Sequence, residues 1–283
     1  MFHSVRRPGH STARRSNCRF RKVSQGCRSS GSASATVFET GSNTWKTFDA
    51  WPPKSIETKT LYLKPNGHLD FQKPEGKDAE SFDEFISDPN KPVPYTETVT
   101  PRMTIEYMVD DQRFASRRPD VLTYQTEPFT EETVIAGPIK TDLWVSTTGA
   151  DADWIVKLID VRPDGPDTVP LAGYQMLLRS EVIRGRFRND YAKPEAFVPG
   201  EATQVRLELL DVLHRFQKGH RLMIQIQSTW FPLVDRNPQT FVPNIYFAKP
   251  EDFQRATHRV FRSAHHPTSL SFGVMPAAKG LAP

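Results

Sequence analysis

The sequence predicts an all-β protein, a β-sandwich of jelly-roll type, and three observations lead there. Runs of residues alternate apolar and polar side chains at period two. Ile139, Thr141, Leu143 and Val145 point one way, and Lys140, Asp142, Trp144 and Ser146 the other, the signature of a half-buried strand. Such runs recur at short, regular intervals with turn residues between them, as stacked antiparallel sheets require. Pro is more frequent than Gly, 24 against 15, which suits short strands and irregular loops better than long helices.

Taken in order, a short strand begins near Thr36 and ends at Gly41. Trp45, Phe48 and Trp51 then form an aromatic cluster, read as an anchor of a loop onto the core, with a ligand-stacking platform as the sharper alternative. Thr60 to Leu63 and His68 to Phe71 flank Pro65-Asn66-Gly67, whose Asn-Gly tolerates the positive φ of a tight hairpin. Residues 73 to 100 read as a long surface excursion, with a short helix expected at Asp83-Glu84-Phe85. Strands are expected at Val121–Tyr124, Glu132–Ala136, Ile139–Ser146, Trp154–Val161, Gln175–Arg184, Gln204–Leu213, Arg221–Ser228, Thr257–Phe261 and Ser269–Val274. The run from Trp154 to Val161 is apolar on both faces except at Lys157 and Asp160. That places it mid-sheet with a layer packed over each side.

The 283 residues allow one large β domain or two modest ones. Charge is unevenly distributed. Residues 1 to 38 hold eight Lys or Arg and no acid, while the remainder has 29 basic and 33 acidic residues. A basic tail therefore precedes a mildly acidic body, and residues 1–35 are read as a disordered extension ahead of a domain at 36–280. Nucleic-acid binding is disfavoured because the tail has no helical periodicity and only Phe2 and Phe20 as aromatics. A transit peptide is a second reading. The apolar centre of a secretory signal is missing, and the compartment stays open. No stretch approaches the roughly 18 apolar residues of a membrane helix, so a soluble protein with no membrane partner is expected.

A search for chemistry returns little. Both cysteines, Cys18 and Cys27, lie in the tail, and without nearby ligands they make a poor metal site. The serine-elbow pattern G-x-S-x-G is absent, and its nearest approach, Gly9 to Ala13, also lies in the tail and follows no strand. His214 and His220 bracket one turn, and His265-His266 reads as an exposed loop doublet. Asp151 and Asp153 could begin a calcium site, but turn-capping is the better reading for want of further oxygens. Arg184, Arg186 and Arg188 read as an exposed salt-bridge network flanked by Glu181 and Asp190. The stretch Trp230 to Pro238 stands apart, since large apolar residues leave a strand there and enter a Pro-rich loop ending in charge. Exposed, it is an interaction patch; folded inward, it plugs the end of the sandwich. No cofactor, metal ligand set or catalytic residue is assigned.

Four long segments, TDLWVSTTGADADWIVKLIDVRPDG, GYQMLLRSEVIRGRFR, PGEATQVRLELLDVLHRFQKGHRLMIQIQSTWFPLVDRNPQ and THRVFRSAHHPTSLSFGV, together resemble one known domain. So do the earlier VFETGSNTWKTFDAWPPK and DDQRFASRRPDVLTY. It is the C-terminal domain of the α-amino-acid ester hydrolases, which group with cocaine esterase, glutaryl acylase and Xaa-Pro dipeptidyl-peptidase among the serine hydrolases. The resemblance spans about residues 36 to 276 and implies a galactose-binding-like jelly roll. It implies further that the Ser-Asp-His triad belongs to a preceding α/β-hydrolase domain, so no catalytic residue transfers to this sequence. The chain is thus expected to be the detached, inactive jelly roll of a hydrolase acting on esters, amides or peptides. Its expected partner is the α/β-hydrolase domain, with Trp230, Phe231, Asp235 and Arg236 as substrate-pocket wall or interface. An uncovered apolar face would drive self-association into a homo-oligomer. The alternative reading is a free-standing carbohydrate- or protein-binding β-sandwich module.

Overall fold

A computed structural model describes residues 35–76, 81–166 and 168–276. The basic tail, with Cys18 and Cys27, lies outside them. The described chain is nearly all β, as expected. Its strands are β1 (Ala35–Glu39), β2 (Thr44–Phe48), β3 (Glu57–Lys64), β4 (His68–Asp70), β5 (Phe82–Ser87), β6 (Leu122–Gln125), β7 (Thr133–Thr147), β8 (Asp153–Val161), β9 (Gln175–Arg184), β10 (Thr203–Phe216), β11 (Arg221–Gln227), β12 (Ala256–Phe261) and β13 (Ser269–Val274). Among the described residues a single short α-helix, α1, spans Arg113–Ser116, and the other helical turns are three-residue 3-10 turns.

Two layers face each other across one core. In the first, β7 pairs with β10 along one edge and with β12 and β13 along the other; β12 continues to β5, and β13 to β3. The second runs β6-β11-β8-β9, and β4 links the layers, pairing antiparallel with β3 and through His68 with Gln125 of β6. Leu61, Leu143, Leu207 and Leu270 of the first layer meet Trp154, Leu158, Leu222 and Ile224 of the second in one continuous cluster. Burying each such side chain contributes about 1.5–3 kcal/mol before chain entropy is counted. This arrangement is consistent with the expected jelly roll.

All nine residues of β8 are buried. Its even-numbered side chains, Trp154, Val156 and Leu158, fill the core between the sheets. Its odd-numbered ones, Ile155, Ile159 and Val161, face outward into satellite clusters. A third layer of irregular chain covers that outer face, contributing Tyr95, Tyr107 and the return loop after β11. The both-faces-apolar pattern of β8 is thereby accounted for.

Three expectations need correction. Residues 83–85 are not helical but the middle of β5, paired residue by residue with β12, and Phe85 and Ser87 turn inward. Pairing with a preformed strand outweighs the weak local preference of an Asp-Glu pair. The excursion of 73 to 100 is correspondingly less superficial, since Val93 and Tyr95 are buried. The two strands expected either side of Gly137-Pro138 are one strand, β7. Gly137 takes φ +87, and both partner ladders shift register there, β10 between Leu209 and Val212 and β13 between Ser271 and Gly273. The strand is bulged at that point, not broken.

The hairpin between β3 and β4 follows the reading of Asn66-Gly67, with φ of 61 and 71. The aromatic cluster at 45–51 is partly strand. Trp45 sits on β2, edge-on to Phe38 at 5.3 Å, while Phe48 packs on Trp51 at 5.5 Å. Trp51 is tied to the body by a hydrogen bond from its indole nitrogen to Asp211.

Candidate functional site

The loop after β11 divides its residues between interior and surface. Trp230 is only 4% exposed and packs with Tyr95 and Ile155, with the Tyr107 ring edge-on at 5.8 Å. It is the inward plug of the two readings. Phe231 is 40% exposed, and its backbone is fixed by bonds between Phe231 N and Val93 O and between Tyr95 N and Phe231 O, both 2.9 Å. Asp235 is in solvent. Arg236 donates to Pro89 O at 2.8 Å and lies over the rings of Phe231 (5.7 Å) and Phe253 (5.0 Å). Phe231 and Arg236 are therefore brought together, Trp230 lies beneath them, and Asp235 makes the rim.

The same layer carries apolar side chains that the sequence did not single out. Residues 99–109 cross over Trp230, held by Tyr95, whose hydroxyl accepts Thr104 N at 2.9 Å, and by Tyr107. On their outer side Val99, Met103 and Ile105 are 103%, 66% and 74% exposed, and Met108 and Val109 are exposed as well. Five exposed apolar side chains in eleven residues is an unusual density for a protein surface.

Beneath the cover is a buried cation. Lys157 is fully buried on the outward face of β8, donates to Gln112 Oε1 at 3.0 Å, and lies 4.7 Å from the centre of the Trp230 ring. Burial lowers its pKa from 10.5 to about 7. Gln225, opposite Lys157 in the ladder, anchors the same spot by donating to Gln112 O at 3.3 Å. A lysine interrupting an apolar run was visible in the sequence; the glutamine that meets it, 45 residues away, was not.

The acidic and basic clusters pair with each other. Asp151 accepts from Arg186 at 2.7 Å inside the protein, and Arg186 also donates to Val242 O and lies over Phe241. Asp153 accepts from Asn237 at 2.8 Å and has Arg184 at 3.8 Å. Burial outweighs these contacts and raises its pKa to about 7. The arginine network is thus largely buried, and its carboxylates are Asp151, Asp153 and Glu195, not Glu181 and Asp190. The register of β8 on β9, which places Asp153 opposite Arg184, makes that choice. Elsewhere Asp160 accepts from both His214 (3.2 Å) and His220 (2.8 Å), and His214 Nδ1 lies 2.8 Å from the Thr40 hydroxyl. Of the histidine doublet, His265 is exposed while His266 is half-buried against Trp144 at 4.6 Å. Among the described residues no group of three or more His, Cys, Asp or Glu is arranged to hold a metal ion. No helix there is long and apolar enough to cross a membrane.

This geometry offers surfaces and buried ion pairs, and it matches a domain of known kind. An aminopeptidase from a marine sediment archaeon, Thaumarchaeota archaeon, superposes with a TM-score of 0.82 at 45% identity, over 86% of this chain and 41% of that one. An α-amino acid ester hydrolase superposes with a TM-score of 0.80 at 40% identity, over 88% and 42%. The cocaine esterase of Rhodococcus sp. (strain MB1 Bresler) is 29% identical over 249 residues, which are 86% of this chain and 41% of the esterase. The chain spans about two fifths of the length of these relatives. Residues 30–271 match the X-Pro dipeptidyl-peptidase C-terminal non-catalytic domain, and the chain belongs to that family.

Proposed function

We propose that this domain serves a serine hydrolase of the ester- and peptide-cleaving kind by docking on its α/β-hydrolase domain through the apolar cover at 99–109 and the adjoining loop after β11. The parent reaction is acyl transfer from an ester, amide or peptide through an acyl-serine. Trp230, Phe231, Asp235 and Arg236 then stand where the domain meets its partner, with Phe231 and Arg236 as contact groups and Trp230 as their support. The observation that carries this reading is the row Val99, Met103, Ile105, Met108 and Val109, exposed on a segment whose Tyr107 packs on the buried Trp230. Leaving such a row in water is unfavourable by about 25 cal/mol for each Å². A chain matching only two fifths of its relatives supports the remainder of such a protein as the covering body.

The test is association with the separately expressed α/β-hydrolase part of the archaeal aminopeptidase. The wild-type chain should form a one-to-one complex by light scattering, and Met103→Asp/Ile105→Asp should abolish it without lowering the melting temperature. A complex indifferent to that double substitution would reject the face. The isolated chain should release no product from amino-acid esters; turnover blocked by a serine-directed inhibitor would reject its non-catalytic role.

A further inference from the structure

Away from the docking layer, the first sheet ends in an open edge. Its strand β10 pairs with β7 on one side, and among the described residues no strand pairs with the other. Which backbone groups point outward there follows from β7. The Thr268 hydroxyl binds both Trp144 N (3.0 Å) and Trp144 O (3.4 Å) from the β13 side. Trp144 therefore turns its N–H and C=O away from β10, and its ladder partner Gln204 turns its own away from β7. The register is unbroken from Thr203 to Leu209, so period two repeats this for Arg206 and Glu208. Beyond the bulge the edge is taken, since Asp211 O accepts Arg179 Nε at 2.7 Å and Leu213 O accepts Thr40 N at 3.1 Å.

The side chains of the free stretch suit one register. Val205, Leu207 and Leu209 face the core, while Arg206, Glu208 and Leu210 are exposed. Arg206 donates to Gln204 Oε1 at 2.8 Å and lies 4.0 Å from Asp142, with its side chain mostly in solvent. Glu208 enters no ion pair among the described residues, although Lys140 lies opposite it in the ladder. Laid antiparallel on a copy of itself about an axis at Leu207, the stretch sets Arg206 of each copy opposite Glu208 of the other. The outward N–H and C=O groups of those same residues then face each other. A slip of two residues sets Arg206 opposite Arg206, or Glu208 opposite Glu208, which is unfavourable.

We infer that this edge binds a second copy of the chain, joining the first layers of two copies into one sheet through antiparallel β10 pairing centred on Leu207. The contact is isologous, so it closes at the dimer. The alternating charges that select this register also reject an arbitrary strand. The docking layer lies on the second sheet, so the dimer does not depend on that reading.

The test is sedimentation equilibrium of the full chain from about 10 µM to about 1 mM, where a contact smaller than the standard ~1,600 Å² is read. A reversible monomer–dimer equilibrium is expected. Arg206→Pro removes an N–H that the β7 ladder does not use, and should abolish the dimer while keeping the melting temperature. Arg206→Glu and Glu208→Arg each set like charges opposite one another twice per dimer, and each should weaken association about tenfold or more. A one-to-one mixture of these two variants should dimerise again, because each then meets the opposite charge. A chain monomeric at about 1 mM, a dimer unchanged by Arg206→Pro, or a mixture no more dimeric than its two parts overturns the inference. Met103→Asp/Ile105→Asp should leave the dimer intact; its loss there would assign self-association to the apolar cover and overturn the edge pairing.

Discussion

Replacing Lys157 by Met should make this domain more stable near neutral pH, although it removes a hydrogen bond. The lysine is fully buried, its contacts are Gln112 Oε1 and two aromatic rings, and burial alone brings its pKa to about 7. In the unfolded chain it titrates near 10.5. A base whose folded pKa lies below its unfolded one is destabilising whenever the unfolded chain holds the proton more tightly. Its stability contribution is therefore complete above about pH 10.5 and is lost as pH falls toward 7. At about 1.4 kcal/mol per pH unit, roughly 3 kcal/mol should be recovered between about pH 7 and about pH 9.5. Met keeps the volume and removes the charge, at the cost of leaving Gln112 Oε1 unpaired, about 1–3 kcal/mol. Lys157→Met is thus expected to gain about 1–3 kcal/mol at pH 7 by urea unfolding, and to lose that advantage by about pH 9.5. A variant less stable than wild type at pH 7, with a difference that does not change up to pH 9.5, would refute the burial argument.

Two further outcomes follow from the acid–base pairs at the other end of β8. Asp153 has a folded pKa near 7, above its unfolded value, so it favours folding at low pH and that contribution is lost as pH rises through 7. Asp153→Asn, which keeps the acceptor for Asn237, should flatten the stability profile between about pH 4 and pH 7, as read by thermal melts across that range. Asp151→Ala leaves the Arg186 guanidinium buried without its anion and should cost about 3–5 kcal/mol in denaturant unfolding. Adding Arg186→Met should recover most of that loss.

The sequence disclosed what depends on local periodicity and withheld what depends on register. The doubly apolar run Trp154–Val161 announced a strand covered on both sides, and β8 is that strand. Asn66-Gly67 announced a positive-φ turn and delivered it. The strand β5 was missed because Asp83 and Glu84 carry no β preference of their own; its partner β12 lies some 170 residues away and imposes the conformation. Gly137-Pro138 read as an interruption because a glycine and a proline suppress the strand pattern locally. Only the simultaneous register shifts of β10 and β13 show that they bend one strand. The candidate loop was found because aromatic residues entering a Pro-rich turn stand out in any sequence. Its cover at 99–109 was not, since scattered apolar residues in an irregular segment have no period to detect. Lys157 was visible as an exception, but its partner Gln112 belongs to that same irregular layer.

One buried cluster has the composition of a catalytic triad and makes a sharper test of the non-catalytic assignment. The Thr40 hydroxyl is 2.8 Å from His214 Nδ1, and His214 Nε2 is 3.2 Å from Asp160. With the proton on Nε2, the imidazole donates to Asp160 and accepts from Thr40, which is the polarity a nucleophile and base require. Its surroundings argue for a clamp instead. The Thr40 N–H, which a nucleophile usually lends to the oxyanion, is bonded to Leu213 O at 3.1 Å, and Thr40 O accepts Arg215 N at 2.9 Å. His214 is wholly buried, so no leaving group can reach it for reprotonation. Asp160 is shared with His220, which ties β8 to the turn entering β11. The cluster joins the β1–β2 hairpin to the body of the sandwich, and its energy is that of ordinary hydrogen bonds. Thr40→Val should therefore cost about 1–2 kcal/mol of stability and change no chemistry. A fluorophosphonate probe should leave the folded chain unlabelled; stoichiometric labelling that disappears in Thr40→Val would make Thr40 a nucleophile and end the non-catalytic reading.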